Sequence, residues 1–330
     1  MKAAIRRRYG PPEVVTVEDV AVPVPSDGQV LVRMRAASIN RADLDGLAPK
    51  PQFARLFMGL RAPKVHSIGV DAAGVVESVG PGVTRLKPGD AVFGDMFIGG
   101  QGSFAEYVCA PERAFQPMPP GLPFDVAATL PHSAILALQG LRLRSGRTIK
   151  PGDRVLIDGA SGNVGPFAVQ IAKSLGAEVT GVASGDKLDF VRSLGADHVI
   201  DYTTTDYTGG DERYDWIAAV DSHYPILRVR RALRPNGVYV TMGGTDGSIL
   251  ASMVGGPLVS KISDRWSGML LWWKPMHPPD VETLKDLVAD GKVTPMIDRR
   301  LPLSDVVEGL RYVEDGHARG KVVITFDERP

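Results

Sequence analysis

The chain has 330 residues, of which 44% are hydrophobic and 23% are charged, and this composition is typical of a folded rather than a disordered protein. Lysine and arginine number 38, as do aspartate and glutamate, so a net charge of zero provides no global attraction to nucleic acid or to an anionic membrane. The length predicts about two domains.

The cysteine content and the absence of targeting patterns further limit the class of protein to which the chain can belong. Cys109 is the only cysteine, so an intrachain disulfide and a multi-cysteine zinc site are excluded. No apolar segment of the kind found in a secretory signal follows the basic residues 1–8, and no apolar run approaches the roughly 20 residues that span a bilayer. We therefore expect a cytoplasmic protein with neither a nucleic-acid nor a membrane partner.

The first part of the chain has the patterns of strands and turns. Residues 29–36 alternate between polar and apolar with period two, as a strand with one buried face does. Residues 70–79 and 90–94 are predicted to be further strands. These patterns predict a compact, mostly β domain over residues 1–122.

Strands and helices alternate from about residue 123. Predicted strands lie at 154–157, 178–182, 198–200, 215–220 and 238–242, with predicted helices at 167–175, 187–194 and 226–233. Such alternation predicts a doubly wound parallel sheet, and thus an α/β fold for this part of the chain. We assign residues 123–290 to this second domain.

The end of the chain contains two predicted helices, at 280–290 and 304–315, and then a strand at 321–326. A closing strand without a following helix is expected to return to the sheet of the first domain. The first domain is therefore predicted to be discontinuous, with residues 1–122 and 291–330.

A glycine-rich loop joins the strand at 154–157 to the helix that follows. Its glycines, Gly159, Gly162 and Gly165, let backbone amides approach a pyrophosphate at the positive end of the helix. We predict that a dinucleotide binds to residues Gly159, Ser161, Gly162, Asn163, Val164 and Gly165.

The end of the next strand indicates which dinucleotide binds. An NAD site places an acidic residue there to hold the ribose 2′-hydroxyl, but this strand ends at Ser184, and Lys187 follows. A hydroxyl group and an ammonium group suit a 2′-phosphate, so NADPH is predicted over NADH. Asp186 is a complication, and the alternative for Lys187 is a solvated lysine at a helix start.

Several segments in one order resemble the medium-chain dehydrogenase/reductase superfamily, in its zinc-independent quinone oxidoreductase-like branch. These segments are Lys2–Ile5, Tyr9–Pro12, Ala37–Asn40, Gly69–Val76, Gly80–Val83, Pro88–Gly94, Gly102–Val108, the glycine loop and Gly320–Ile324. The resemblance implies a GroES-like β domain, a Rossmann domain, bound NADP(H) and a homodimer.

The resemblance also assigns roles to three residues beyond the glycine loop. Tyr202 is similar to a tyrosine that flanks the adenosine 2′-phosphate, although an ordinary loop tyrosine is the alternative. Gly243 and Gly244 are expected to let the chain pass close to the nicotinamide ribose, with a tight turn as their alternative.

Zinc-dependent relatives allow a test of whether the chain binds a metal. The first ligand position of those relatives matches Asn40, the second matches Val70, and the third falls near His132. An amide, a valine and one imidazole do not provide the three protein ligands of a catalytic zinc, so no metal is expected. His66 lies outside this register and is expected to be an ordinary surface or loop histidine.

Without a metal, hydride transfer is easiest to an acceptor that has its own electron sink, such as a quinone or an α,β-unsaturated carbonyl. Asn40 is predicted to donate a hydrogen bond to the acceptor oxygen, and His132 to be a nearby donor or proton source. The alternatives are an amide that fixes a turn and a packed histidine. Residues 47–65 and 257–275 are predicted to shape the substrate pocket.

Three functions remain open at this point. The first is a zinc-free NADPH reductase of quinones or activated alkenes. The second is a metal-free alcohol dehydrogenase or carbonyl reductase, and the third is a non-catalytic NADPH-binding protein.

Overall fold

A computed structural model describes residues 1–49, 55–97 and 99–326. Its strands are β1 Lys2–Arg6, β2 Val15–Asp19, β3 Gln29–Ile39, β4 Asp71–Val79, β5 Ala91–Asp95, β6 Tyr107–Pro111, β7 Phe115–Pro117, β8 Arg154–Asp158, β9 Glu178–Ala183, β10 His198–Asp201, β11 Tyr214–Ala219, β12 Leu233–Thr241, β13 Trp266–Met269, β14 Ile297–Pro302 and β15 Lys321–Thr325. Its helices are α1 Arg41–Leu47, α2 Arg55–Met58, α3 Phe124–Ala127, α4 Ser133–Gly140, α5 Gly165–Ser174, α6 Leu188–Ser193, α7 Ile226–Val229, α8 Asp246–Leu250, α9 Gly256–Lys261, α10 Pro278–Ala289 and α11 Val306–Glu314.

The chain divides into two compact units. The first unit contains Met1–Ile135, Lys274–Lys285 and the chain from Pro295 onward, and the second contains Leu136–Trp273 and Asp286–Thr294. Residues 123–135 thus group with the first unit, whereas the sequence places a boundary after residue 122. The domain limits 1–122, 123–290 and 291–330 stay a prediction.

A mainly antiparallel sheet forms the centre of the first unit. Its strands follow the order β14-β15-β3-β4-β5-β7, and β6 also pairs with β3. The long strand β3 buries Val30, Val32 and Met34 on one face, while Arg33 and Arg35 remain partly exposed on the other. This alternation is the period-two pattern that predicts a strand in this region.

The closing strand β15 lies in the sheet of the first unit, as the sequence predicts. It runs antiparallel to β3, with Val322 opposite Ile39 and Ile324 opposite Ala37, and parallel to β14. This register brings Lys321, the first residue of β15, next to the end of β3.

A parallel sheet of six strands forms the centre of the second unit. The strand order is β10-β9-β8-β11-β12-β13, which is the doubly wound order that the alternating pattern predicts. Val155, Leu156 and Ile157 of β8 are all fully buried because helices cover both faces of such a sheet.

Two features of the second unit escape prediction from the sequence. Strand β13 has four residues that include Gly268, too few to give a period-two pattern. A π-helical turn at Ala251–Gly255 connects the helices α8 and α9, and the sequence predicts neither helix. No helix among the described residues combines the length and the apolar character that crossing a bilayer requires.

Candidate active site

The glycine loop connects the end of β8 to α5, and its first and last glycines are closely packed. Gly159 has a φ of 85°, and the amides of Gly159 and Ala160 both donate to Val182 O, at 3.2 and 2.9 Å. A Cβ on Gly165 would lie 2.1 Å from Gly159 O, so only glycine fits where α5 begins. The loop therefore has the shape that lets a pyrophosphate approach the helix N-terminus.

Within this loop the side chains differ in exposure. Ser161 and Val164 are buried, and Gly162 and Asn163 are partly exposed. A Cβ on Gly162 would meet nothing closer than Gly159 O at 3.9 Å, so open space adjoins this glycine. The loop residues fit a bound dinucleotide, and their individual contacts with it stay a prediction.

Ser184, Lys187 and Tyr202 come together at the carboxyl ends of β9 and β10. The Ser184 hydroxyl donates to Asp186 Oδ1 at 2.6 Å, and the Tyr202 amide donates to Ala183 O at 3.2 Å. Lys187 is only 7% exposed and so is not the solvated lysine of the alternative interpretation, whereas the Tyr202 side chain is 55% exposed.

Two carboxylates also lie at this edge of the sheet. Asp186 is exposed and accepts from Ser184, and Asp201 Oδ2 lies 2.7 Å from the position of a Cβ on Gly185. Asp201, which sequence reasoning missed, is the last residue of β10, and its Oδ1 accepts a hydrogen bond from Thr203 N at 2.9 Å. This edge of the sheet thus carries one cationic and two acidic side chains, Lys187, Asp186 and Asp201.

Gly243 and Gly244 pack tightly against the end of β11. A Cβ on Gly243 would lie 2.5 Å from Val220 O, and a Cβ on Gly244, which has a φ of 133°, would lie 2.2 Å from Ser222 O. This packing requires both glycines whether or not a cofactor binds, so their contact with a nicotinamide ribose stays a prediction.

In the first unit, the carboxylate of Asp71 is the centre of a buried polar cluster. Asp71 Oδ2 accepts hydrogen bonds from Ser38 Oγ at 2.6 Å, Asn40 Nδ2 at 2.8 Å and Lys321 Nζ at 3.1 Å. Asp71 Oδ1 accepts from the backbone amide of His132 at 2.8 Å. The structure therefore brings the predicted residues Asn40 and His132 together through Asp71.

Asn40 uses both ends of its amide group within this cluster. Its Nδ2 donates to Asp71 and, at a longer 3.3 Å, to Ser38 O. Its Oδ1 accepts from Lys321 Nζ at 2.5 Å and from Ser133 Oγ at 2.8 Å. The side chain is thus held in one orientation.

Lys321 is fully buried, and its ammonium group is saturated. It donates to Asn40 Oδ1, to Asp71 Oδ2 and, at 3.0 Å, to Ser133 Oγ. Burial lowers the pKa of Lys321 below its ordinary value, and the nearby carboxylate of Asp71 opposes this effect. The cation is therefore a fixed part of the cluster.

The imidazole of His132 is paired with a carboxylate. Its Nδ1 lies 3.0 Å from Asp95 Oδ2, and both residues are buried. Burial lowers the pKa of His132, but the carboxylates of Asp95 and Asp71 more than offset this, so the pKa lies above its ordinary value. A carboxylate on one ring nitrogen also fixes the orientation of the ring.

Asp43, one turn into α1, is a buried carboxyl beside the same cluster. Its Oδ2 accepts from Asn40 N at 2.7 Å, and burial, with the neighbouring charge of Asp71, raises its pKa to about 7. From the sequence, Asp43 is expected to bond to the backbone or to Arg41 in a structural role, whereas Asp71, Asp95, Ser133 and Lys321 are given no role. Asp43 has a local pattern, since it forms a capping box with Asn40 at the start of α1. Asp71, Asp95 and Lys321 have none, because the pairing of their strands brings them together.

Of the predicted pocket segments, 47–65 is described only in part, because residues 50–54 lie outside the described residues. Among residues 1–49, 55–97 and 99–326, no three His, Cys, Asp or Glu side chains converge as a metal-ligand set. His66 is exposed, as the sequence predicts.

Two family models match the chain. Residues 26–120 match the alcohol dehydrogenase GroES-like domain, and residues 194–324 match the zinc-binding dehydrogenase model. These two matches agree with a GroES-like domain followed by a Rossmann domain.

Curated relatives match along nearly the whole chain. NAD(P)H oxidoreductase RTN4IP1 of mouse mitochondria is 30% identical over 98% of this chain and 89% of its own. The chloroplastic quinone oxidoreductase QR1 of Triphysaria versicolor is 32% identical over 93% and 92%. The chloroplastic NADPH-dependent alkenal/one oxidoreductase of Arabidopsis thaliana is 30% identical over 98% and 79%.

Solved structures show the same relationship. The quinone oxidoreductase of Coxiella burnetii is 29% identical, covers 99% of both chains and superimposes with a TM-score of 0.84. The chain therefore belongs to the medium-chain dehydrogenase/reductase superfamily, in its quinone oxidoreductase-like branch. It is an oxidoreductase with an α/β fold that consists of a GroES-like β domain and a Rossmann domain.

The name of one matching model implies zinc, and the residues at the corresponding positions do not fit that ion. Asn40 offers an amide that is already engaged in hydrogen bonds, Val70 is aliphatic, and His132 is the one imidazole. The ammonium group of Lys321 already provides the local cation. This donor set does not make a tetrahedral zinc site.

The pKa of Asp43 predicts how the stability of the protein depends on pH. Because the fold raises this pKa from 3.8 to about 7, the stability that the neutral carboxyl provides below pH 3.8 is lost as the pH rises towards 7. The full shift corresponds to on the order of 4 kcal/mol. We expect Asp43→Asn, which keeps an acceptor for Asn40 N, to remove this decline.

The measurement is urea unfolding at pH 5 and pH 8, compared with Asp45→Asn, a partly exposed carboxylate on the same helix. The buried amide of the Asp43 variant lowers stability equally at both pH values, so the change between them is the informative quantity. Equal changes in the Asp43 variant and the wild type would show that Asp43 does not titrate in this range.

Proposed function

We propose that this protein is an NADP(H)-dependent reductase that transfers hydride to quinones or α,β-unsaturated carbonyl compounds. The observation that supports the proposal is the cluster centred on Asp71, which accepts hydrogen bonds from the amide of Asn40 and from the backbone of His132. These two residues are the ones that the sequence matches to metal-ligand positions of zinc-dependent relatives. Because this donor set offers no Lewis acid, a substrate with its own electron sink is favoured. The names of the quinone and alkenal/one oxidoreductases among the relatives agree with this substrate class.

When bound, NADPH supplies the hydride. The backbone amides of the glycine loop and the N-terminus of α5 hold its pyrophosphate. Ser184, Lys187 and Tyr202 would surround its 2′-phosphate, where the ammonium group of Lys187 supplies the attraction and the carboxylates of Asp186 and Asp201 oppose it. The names of two relatives, an NAD(P)H and an NADPH-dependent oxidoreductase, support this cofactor.

His132 supplies the proton that completes the reduction. The acceptor gains two electrons with the hydride, and the anionic oxygen of the resulting enolate or hydroquinone anion takes a proton from the imidazolium, which becomes neutral imidazole. Asp95 stabilises the protonated ring and keeps it in place. The raised pKa of His132 keeps a larger share of the imidazole protonated near neutral pH.

Asn40 stabilises the negative charge that develops on the acceptor oxygen. Lys321 Nζ donates to Asn40 Oδ1 and so polarises the amide, which strengthens its N–H groups as donors. The second N–H of Nδ2 makes only a long contact with Ser38 O, at 3.3 Å, and this weakly bonded N–H is the one that the acceptor oxygen of the substrate shares.

Dimer formation and a cytoplasmic location stay predictions. The mouse relative is named as mitochondrial and the plant relatives as chloroplastic, so relatives of this chain differ in location. Neither property is needed for the proposed chemistry.

A substrate panel tests the proposed function directly. We expect NADPH to be consumed with benzoquinone and with an open-chain enone, and saturated ketones of similar size to react much more slowly. Product identification separates carbon–carbon from carbon–oxygen reduction. Turnover with ketones alone would indicate a carbonyl reductase, and tight NADPH binding without any turnover would indicate a non-catalytic protein.

The role of Lys187 predicts a selective loss of NADPH affinity. In Lys187→Met, the Kd for NADPH is expected to rise at least about tenfold, because a charge-assisted contact with the 2′-phosphate is lost. The Kd for NADH is expected to change little. Fluorescence titration gives both constants, and Arg192→Met removes an exposed cation from α6 as a control. A tighter wild-type affinity for NADH than for NADPH would contradict the assignment.

The role of His132 predicts both a rate and a pH profile. We expect His132→Gln to lower kcat by about 10²- to 10⁴-fold. In the wild type, kcat is expected to fall as the pH rises through the raised pKa of His132, above its ordinary 6.5. Asp95→Asn removes the carboxylate that raises this pKa, so the fall in kcat is expected to occur at lower pH.

The control is His277→Gln, because His277 is also paired with a carboxylate, Asp280, at 3.2 Å. This variant is expected to keep the wild-type kcat and pH profile. Full turnover by the His132 variant at every pH would remove the proton-donor role.

A further inference from the structure

The last residue of β8, Asp158, is a carboxyl directly before the glycine loop. It is only 7% exposed, and its Oδ2 accepts a hydrogen bond from the hydroxyl of Tyr207 at 3.3 Å. None of the roles assigned above uses Asp158. A buried carboxyl next to an anion-binding loop therefore needs an explanation.

The position of Asp158 in the sheet is the one at which a dinucleotide binds in this type of fold. The strand order reverses direction at β8, which is flanked by β9 and β11, and ligands bind outside the carboxyl ends of the strands at such a point. Asp158 forms that end of β8, opposite Ala219 on β11 and Val182 on β9. An ionised carboxylate here opposes a pyrophosphate.

The groups that face Asp158 come from three other segments. Asp221, just after β11, adds a negative charge, and its Oδ2 is paired with His223 Nε2 at 3.1 Å. Tyr207 lies in the loop after β10, and Tyr239, on β12, is also buried near the carboxyl. No lysine or arginine is among the groups that shift its ionisation.

These neighbours favour the neutral form of Asp158. Burial is the largest effect, Asp221 adds to it, and the Tyr207 hydroxyl and His223 oppose it, so the pKa of Asp158 rises from 3.8 to about 7. The carboxyl therefore changes its charge within the range of pH at which many enzymes work.

We propose that Asp158 controls cofactor affinity, with its neutral carboxyl admitting the dinucleotide pyrophosphate onto the glycine loop and its carboxylate opposing it. This inference rests on the proposed NADP(H) function. Cofactor binding is then coupled to the uptake of a proton by Asp158, and affinity falls as the pH rises through neutrality.

The test is calorimetric titration with NADPH between pH 6 and pH 9. For the wild type, we expect the Kd to rise about tenfold more between pH 6.5 and pH 8.5 than for Asp158→Asn, which keeps an acceptor for Tyr207. Titration in buffers of different ionisation enthalpy gives the number of protons taken up. Near pH 7.5, we expect the wild type to take up more protons on binding NADPH than Asp158→Asn does. Protons exchanged by the 2′-phosphate are the same in both proteins, so they cancel in this difference.

Two further variants move the transition in opposite directions. Asp221→Asn removes a negative charge that favours the neutral form, so the fall in affinity moves to lower pH. Tyr207→Phe removes a hydrogen bond that favours the carboxylate, so it moves to higher pH. Asp211→Asn, an exposed carboxylate of the same unit, controls for net charge.

The outcomes separate this inference from the proposed function. Parallel pH profiles and equal proton uptake in the wild type and Asp158→Asn would overturn the role of Asp158 and leave the cofactor assignment intact. If NADPH binds to none of the variants at any pH, both the inference and the proposed function are overturned.

Discussion

The buried ion pair between Asp71 and Lys321 is the constraint on which the site in the first unit depends. The two residues are 250 positions apart, and both side chains are fully buried, with 3.1 Å between the ammonium nitrogen and the carboxylate oxygen. Removing water from two charges is costly, and a single unpaired charge left behind costs roughly 3–5 kcal/mol. The pair is therefore tolerated because every donor of the lysine and both oxygens of the aspartate have partners.

The same saturation positions the groups to which we assign the chemistry. Asp71 accepts hydrogen bonds from the side chain of Asn40 and from the backbone amide of His132. One carboxylate therefore fixes both the amide of Asn40 and the backbone position of His132. Asp95 lies opposite Asp71 in the register of β4 and β5, and it holds the imidazole itself. Sheet pairing thus sets the orientation of both polar groups, and neither relies on a flexible loop alone.

The sequence predicts the parts of this structure that have local patterns. The glycine loop, the alternating strands and helices, and the closing strand are all recognisable because their signals lie within a few neighbouring residues. Lys321 has no such signal, since a lysine at the first position of a strand is normally solvated. Lys321 is buried because β15 pairs with β3, which brings its ammonium group to Asn40, 281 positions away in the chain. A single sequence does not show which distant side chains such a pairing brings into contact.

The charge balance of the cluster explains why the neutral form of Asp43 matters for the reaction. The cations of Lys321 and protonated His132 match the carboxylates of Asp71 and Asp95, and an ionised Asp43 adds a further negative charge, which the buried guanidinium of Arg6 partly offsets. Hydride transfer to a conjugated acceptor places negative charge on its oxygen, which an excess of negative charge nearby disfavours. Burial of Asp43 in α1, which raises its pKa to about 7, therefore keeps the surroundings of Asn40 and His132 suited to that charge below about pH 7.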